Sequence, residues 1–212
     1  MSQSNPSRPA LRLAITGGLA CGKSEVGRLL AEEGVLVWDA DPIAHEVMRA
    51  GTPVHRDVTD FFGRDILKPD GEIDRKILGR LVFQDPEKLQ ALNAMVHPEV
   101  MRVLTQRLND AEREGRHMAA IIPLLYEIGW VEGWDAVICV AASEVVALER
   151  LKERGLPPEE GRKRMAAQWP LAEKMKRADF VIENNGTREE LAAQTKKMWR
   201  EILKQKESNH HG

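Results

Sequence analysis

The residues best suited to chemistry lie between positions 17 and 24, where GGLACGKS matches the pattern G-x-x-x-x-G-K-[ST]. Glycines allow the backbone to turn tightly, so that its N–H groups converge on phosphate oxygens. The helix that follows directs its positive end to the same place. Lys23 is therefore predicted to contact the β- and γ-phosphates of a nucleoside triphosphate, and Ser24 to coordinate a bridging Mg²⁺.

The rest of this loop is expected to surround the same phosphates. The residues concerned are Gly18, Leu19, Ala20, Cys21 and Gly22. A glycine-rich turn in which Ser24 only caps the helix is the alternative, and the strand before the loop and the helix after it argue against that. For Cys21 two interpretations stay open, a thiol with a lowered pKa or simply a small side chain that fits.

Two acids, Asp39 and Asp41, follow the second apolar segment VLVW. Ligands of open α/β sheets gather at the carboxyl ends of the strands, which is the edge that carries the glycine-rich loop. Asp41 before Pro42 is also typical of a helix N-cap. The two roles are compatible, because phosphoryl transfer depends more on positioning than on a strong base.

A run of basic residues from 150 to 164, RLKERGLPPEEGRKR, predicts two helices joined by a Gly/Pro turn. A solvated charged hairpin is one interpretation. The other is a mobile segment whose cations close over a transferring phosphate.

Five apolar segments predict a parallel sheet with helices between the strands, an α/β fold. They are LRLAIT, VLVW, AAIIP, AVICV and FVI. The connection of residues 41–118 is too long for an ordinary crossover, so a mainly helical unit is inserted there. Pro98 is predicted to mark a break within it.

Composition narrows the class of protein further. The chain has 212 residues and a formal net charge of −2, which argues against a surface built for nucleic acid. No long apolar run and no signal-peptide pattern occurs, so no membrane partner and a cytoplasmic location are expected. The two cysteines are expected to be reduced. Residues 1–10 and 204–212 are expected to be tails.

The chain resembles dephospho-coenzyme A kinases from Leu11 to about Leu203. The segments TGGLACGKS, DADPIAHEV, HPEV, IIPLLYE, RLKERG, RKRMAAQ and ADFVIENNG carry the resemblance, in that order. It implies a fold similar to that of nucleoside monophosphate kinases, with a core of residues 11–40 and 119–203, a substrate domain of 41–118 and a lid of 144–170. It also implies transfer of the γ-phosphate of ATP to the ribose 3′-hydroxyl of dephospho-coenzyme A, by a monomer or small homo-oligomer.

The resemblance further implies roles for single residues. Asp41 accepts or orients the 3′-hydroxyl proton, and Asp39 assists, through a water bound to Mg²⁺. Arg150 and Arg164 contact phosphate from the lid, with Arg154 as a weaker candidate.

The remaining candidates fall into two groups. Asn184 and Asn185 belong to an Asn-Asn-Gly segment that is typical of a tight turn and that the family uses against adenine. His45, His97 and Tyr126 are candidate substrate contacts. For His97, a buried histidine that only orders the helix before Pro98 is the competing interpretation.

Two other functions stay open. The first is a kinase of the same architecture that phosphorylates another small hydroxyl compound or nucleotide. The second is a regulator that binds ATP without chemistry, which would need no acid to position an acceptor.

Overall fold

The computed structural model describes residues 10–209, so most of the predicted tail 1–10 and the last three residues of the predicted tail 204–212 lie outside the described residues. The five predicted strands form one sheet in the order β2-β3-β1-β4-β5. Every neighbouring pair is parallel, which confirms the predicted architecture. The strands are β1 (Arg12–Gly17), β2 (Leu36–Asp39), β3 (Met118–Ile121), β4 (Ala136–Ala141) and β5 (Phe180–Glu183).

Helices connect the strands and build the inserted unit. They are α1 (Lys23–Glu32), α2 (Ala40–Val47), α3 (Pro53–Phe62), α4 (Arg75–Phe83), α5 (Pro86–Arg113), α6 (Glu144–Glu153), α7 (Pro158–Ala166), α8 (Leu171–Arg177) and α9 (Arg188–Asn209), with a short 3₁₀ turn at Arg64–Ile66. None of the helices within residues 10–209 has the length and apolarity that a bilayer span needs.

The central strands are continuous apolar runs because both faces of the sheet are covered. All residues of β4 are buried. The main core contains Leu13, Ile15 and Ile138 from the sheet, packed with residues of α1 and α9 such as Val26 and Trp199. This core holds the carboxyl ends of β1 and β4 side by side, with Gly17 paired to Val140.

The chain divides into two compact units. The first contains the sheet and comprises the described residues up to Asp39 and from Asp110 onward, and the second is Ala40–Asn109. The second unit is helical, in agreement with the predicted insertion, although the last turn of α5 groups with the first unit. Side-chain caps define two of its helices: Thr52 accepts a hydrogen bond from His55 N, and Asp74 from Lys76 N.

Two predictions about helices are wrong. Helix α5 runs without interruption through Pro98. Proline removes one N–H, and the carbonyl that loses its partner belongs to Ala94, which is exposed and can bind water instead. The tail predicted for residues 204–212 is also wrong in part, because α9 continues to Asn209.

We expect Gly17→Ala to destabilise the protein strongly. A Cβ at residue 17 would lie 2.0 Å from the Val140 carbonyl oxygen, and φ is +138°. The matched control is Gly34→Ala, where φ is +87° and nothing lies within 4 Å. Backbone strain alone predicts a loss of about 1–2 kcal/mol for the control, or about 2–8 °C in Tm.

Thermal unfolding followed by circular dichroism measures both variants. Gly17→Ala is expected to lower Tm at least twice as much as Gly34→Ala. Equal shifts would contradict the close approach of β1 and β4.

Candidate active site

The glycine-rich loop connects β1 to α1 at the carboxyl edge of the sheet. Three of its residues have positive φ: Gly17 (138°), Ala20 (56°) and Gly22 (98°). Within residues 10–209, Ala20 is the one residue other than glycine with positive φ. Such a conformation costs free energy in an L-residue, and neighbouring contacts must maintain it.

Lys23, the first residue of α1, turns back over this loop. Its Nζ donates hydrogen bonds to the carbonyl oxygens of Gly17 (3.2 Å) and Gly18 (2.7 Å). Phosphate oxygens would compete for the same ammonium hydrogens, because charge-assisted hydrogen bonds are the stronger ones. Ser24 is exposed next to Lys23, so its hydroxyl is accessible.

The outer side of the loop is held by two residues that come from distant parts of the chain. Arg150 of α6 donates to the carbonyl oxygens of Ala20 (3.4 Å) and Asn184 (3.0 Å) and to Asn184 Oδ1 (3.2 Å). Asn184, directly after β5, is buried and donates from Nδ2 to the Cys21 carbonyl oxygen (2.9 Å). Arg150 and Asn184 therefore support the loop main chain, a role that the sequence did not indicate.

Cys21 behaves as a small buried residue. Burial raises the pKa of its thiol above the ordinary value, and the opposing effect of the Lys23 charge is smaller. A thiol with a raised pKa is a poor nucleophile. Of the two interpretations of Cys21, the structure favours packing.

Helices α6 and α7 form the two helices predicted for residues 150–164. They approach closely at Gly161, where a Cβ would lie 3.0 Å from both Leu148 and Leu151. Arg164 is exposed and paired with Glu160 of the same helix (2.5 Å). Arg154 is exposed directly after α6. Only Arg150 of the three arginine candidates is thus placed against the loop.

A cavity of about 470 Å³ lies between the loop and these helices. Gly18 and Leu19 of the loop, Glu144 of α6, Arg162 of α7 and Leu171 of α8 are among its lining residues. An ion pair between Arg162 and Glu144 (3.1 Å) joins the two helices beside it.

The two acids lie at the end of β2 and just after it. Asp39 is the last residue of β2 and so belongs to the same sheet edge as the loop. Asp41 and His45 are exposed residues of α2 in the second unit. The N-cap interpretation of Asp41 is wrong, because α2 begins at Ala40 and places Asp41 inside its first turn.

The other candidates are dispersed. Tyr126 is only 7% exposed and stacks on Trp169, with ring centroids 6.2 Å apart, and burial raises the pKa of its phenol to about 12. It is therefore a packing residue in this structure rather than an open substrate contact. His97 is partly buried in α5, and desolvation lowers the pKa of its imidazole. Asn185 is exposed and accepts a hydrogen bond from Ser143 N (2.7 Å).

Within the described chain, no group of three or more His, Cys, Asp or Glu residues could hold a metal ion.

A parallel sheet with a phosphate-binding loop after β1 and a lysine at the start of α1 is the architecture of P-loop nucleotide-binding proteins. A shikimate kinase from Acinetobacter baumannii shares this fold, with a TM-score of 0.54 at 16% identity over 93% of this chain and 96% of that one. The family model for dephospho-CoA kinase matches residues 11–190. The chain belongs to the dephospho-CoA kinase family.

Individual relatives agree with the family model. The dephospho-CoA kinase of Geobacillus kaustophilus is 45% identical over 197 residues, which is 92% of this chain and 96% of that protein. A solved dephospho-CoA kinase from Campylobacter jejuni has a TM-score of 0.67 at 27% identity, over 91% of this chain and 97% of that one. The structure of TT1252 from Thermus thermophilus reaches 0.76 at 37% identity, with the same coverage of 91% and 97%.

We expect Asn184→Ala to weaken binding of MgATP about tenfold, because the buried Cys21 carbonyl loses its donor and Arg150 loses an acceptor. Gln106→Ala on α5 is the control, since its exposed side-chain amide contacts the Arg102 side chain and lies outside the proposed nucleotide site. Isothermal titration calorimetry with a non-hydrolysable ATP analogue and Mg²⁺ measures both variants. Equal affinities for the two variants would contradict the support of the loop by Asn184.

Proposed function

We propose that this chain transfers the γ-phosphate of ATP to the ribose 3′-hydroxyl of dephospho-CoA, giving CoA and ADP, the final step of CoA biosynthesis. The observation that carries the proposal is a phosphate-binding loop with Lys23 at the carboxyl edge of a parallel sheet, in a chain that matches the family over residues 11–190. ATP is then a substrate, and dephospho-CoA is the acceptor.

The reaction is an in-line displacement at the γ-phosphorus. A bond forms between the 3′-oxygen and phosphorus, the bond to the β,γ-bridging oxygen breaks, and the electron pair leaves with ADP. Lys23 exchanges the carbonyl oxygens of Gly17 and Gly18 for phosphate oxygens when ATP binds. Its charge and the loop amides then stabilise the charge that develops on the transferred group.

Asp41 is the proposed recipient of the acceptor proton. Its carboxylate is exposed in the first turn of α2, two residues after the end of β2. A carboxylate at this position orients the hydroxyl by a hydrogen bond before the bond to phosphorus forms. Asp39 supports it from the end of β2.

Ser24 and Asp39 are the residues we propose for Mg²⁺, Ser24 directly and Asp39 through water. A hydroxyl and a carboxylate are hard oxygen donors, and Mg²⁺ commonly combines few protein ligands with phosphates and several waters. Mg²⁺ held by these residues would neutralise part of the phosphate charge.

Residues 144–170 are the proposed lid. Its exposed cations, Arg154 and Arg164, are candidates for approaching phosphate when the segment closes, which also excludes water. Arg150 contributes differently, by holding the loop through the Ala20 carbonyl. The segment from Asn184 to Gly186 is the proposed adenine contact, mainly through its main chain.

The second unit, by its position in the chain, is the proposed dephospho-CoA domain. His45 and His97 are its candidate contacts, and the lowered pKa of His97 favours a neutral imidazole that hydrogen-bonds without charge. We propose a cytoplasmic enzyme, monomeric or a small homo-oligomer, that needs no nucleic acid or membrane.

The test is ADP production by the purified protein with MgATP and dephospho-CoA. We expect turnover that falls at least about 100-fold in Lys23→Ala and in Asp41→Asn, because each loses charge stabilisation or positioning in the transition state. Lys204→Ala on α9 and Asp60→Asn on α3, both exposed, are the matched controls and are expected to keep wild-type activity.

The same assay separates the alternatives. Acceptor-dependent turnover with AMP, CMP or shikimate, but not with dephospho-CoA, would retain the kinase and contradict the acceptor. Tight binding of MgATP without turnover on any acceptor would favour a nucleotide-binding regulator.

A further inference from the structure

A fully buried lysine lies next to the candidate site. Lys174 of α8 is 0% exposed. Its Nζ donates to the Pro123 carbonyl oxygen, just after β3, at 2.8 Å, and pairs with Glu127 Oε1 at 2.7 Å. Lysines are almost never fully buried unless they are paired, and each of these contacts is charge-assisted.

The partner of Lys174 reaches the end of the 144–170 segment. Glu127 Oε1 also accepts a hydrogen bond from the main-chain N–H of Trp169 (2.9 Å). The Trp169 ring stacks on Tyr126, and the Arg177 guanidinium lies over the Trp169 ring, 4.8 Å from its centroid. Glu127 Oε1 thus accepts hydrogen bonds from both the Lys174 ammonium and the main chain of Trp169, which is near the end of the 144–170 segment.

The same cluster reaches the phosphate-binding loop. The Pro123 carbonyl oxygen that accepts from Lys174 also accepts from Thr16 Oγ1 (3.3 Å), the residue directly before Gly17. Leu171, at the start of α8, is close enough that a Cβ on Gly18 would lie 3.5 Å from it. The Pro123 carbonyl therefore links β1 to α8 through Thr16 and Lys174, and the first residue of α8 packs next to the loop.

Stability alone does not account for this pair. Burying two charges requires desolvation that an ion pair often fails to recover, and well-packed apolar residues of similar volume frequently do as well or better. Glu127 Oε2 is moreover buried without a hydrogen-bond partner among the described residues, which adds to the cost. What the pair provides, and an apolar pair does not, is a defined direction for the Trp169 N–H and the Pro123 carbonyl.

We propose that Lys174 and Glu127 are positioning residues that fix the C-terminal end of the 144–170 segment to the loop edge of the sheet. This inference rests on the proposed kinase function and adds that catalysis requires one end of the 144–170 segment to stay fixed. The segment keeps one fixed end near Gly18 while its arginines approach phosphate. Loss of the pair leaves the fold intact but releases this end.

The test compares Lys174→Met with the double variant Lys174→Met/Glu127→Leu. The single variant leaves a buried, uncompensated carboxylate and is expected to lower Tm by several degrees. The double variant is expected to recover most of the Tm that the single variant loses. Its kcat with dephospho-CoA is expected to stay about tenfold or more below that of the wild type, and its Kd for MgATP is expected to stay raised.

Hydrogen exchange supplies a readout that does not depend on turnover. The amide of residue 169 is expected to exchange faster in the double variant, because its acceptor is gone. The control pair is Lys176→Met/Glu173→Leu, which removes an exposed ion pair from the same helix and is expected to change none of these quantities.

The outcomes separate the two proposals. Wild-type kcat, Kd and exchange in the stable double variant would overturn the positioning role. Absence of turnover in the wild-type protein would contradict the proposed function, and the Kd and exchange at residue 169 would then still decide the positioning role. If the double variant does not fold, Glu127→Ala, which also removes Oε1 as the acceptor of the Trp169 N–H, replaces it. Unchanged exchange at residue 169, unchanged Kd and unchanged kcat in that variant would overturn the positioning role.

Discussion

A loop that turns its N–H groups toward phosphate must turn its carbonyl groups elsewhere, and those carbonyls need donors. This constraint organises the site. Lys23 donates hydrogen bonds to the carbonyl oxygens of Gly17 and Gly18. Arg150 donates to the carbonyl oxygen of Ala20, and Asn184 donates to that of Cys21. The strained main chain at Ala20 is thereby held by residues from α6 and from the end of β5.

The sheet makes these distant donors available. Because all strands are parallel, their carboxyl ends meet at one edge, which is the edge that carries the loop. Strand β1 leads into the loop, β2 ends at Asp39, β3 is followed by Pro123 and Glu127, and β5 by Asn184. The close contact between Gly17 and Val140 sets the start of the loop.

The fold was largely predictable and the supporting contacts were not. Continuous apolar runs indicated the five strands, and the loop motif carries its own chemistry. By contrast, Arg150 and Ala20 are 130 residues apart, and no local pattern reveals that contact. Lys174 stands in the charged segment LAEKMKR, which is typical of a solvated helix, yet the tertiary structure buries it. The predicted break at Pro98 does not occur, and the carbonyl that loses its donor belongs to Ala94, an exposed residue that can bind water instead.

The most direct test of the proposed phosphoryl transfer is ³¹P NMR of the product formed from MgATP and dephospho-CoA. We expect the γ-phosphate signal of ATP to disappear while one new phosphomonoester signal appears, coupled to the ribose 3′-proton. Inorganic phosphate in its place would show that water is the acceptor. A monoester at another position would contradict the assignment of the 3′-hydroxyl as the group that this site activates.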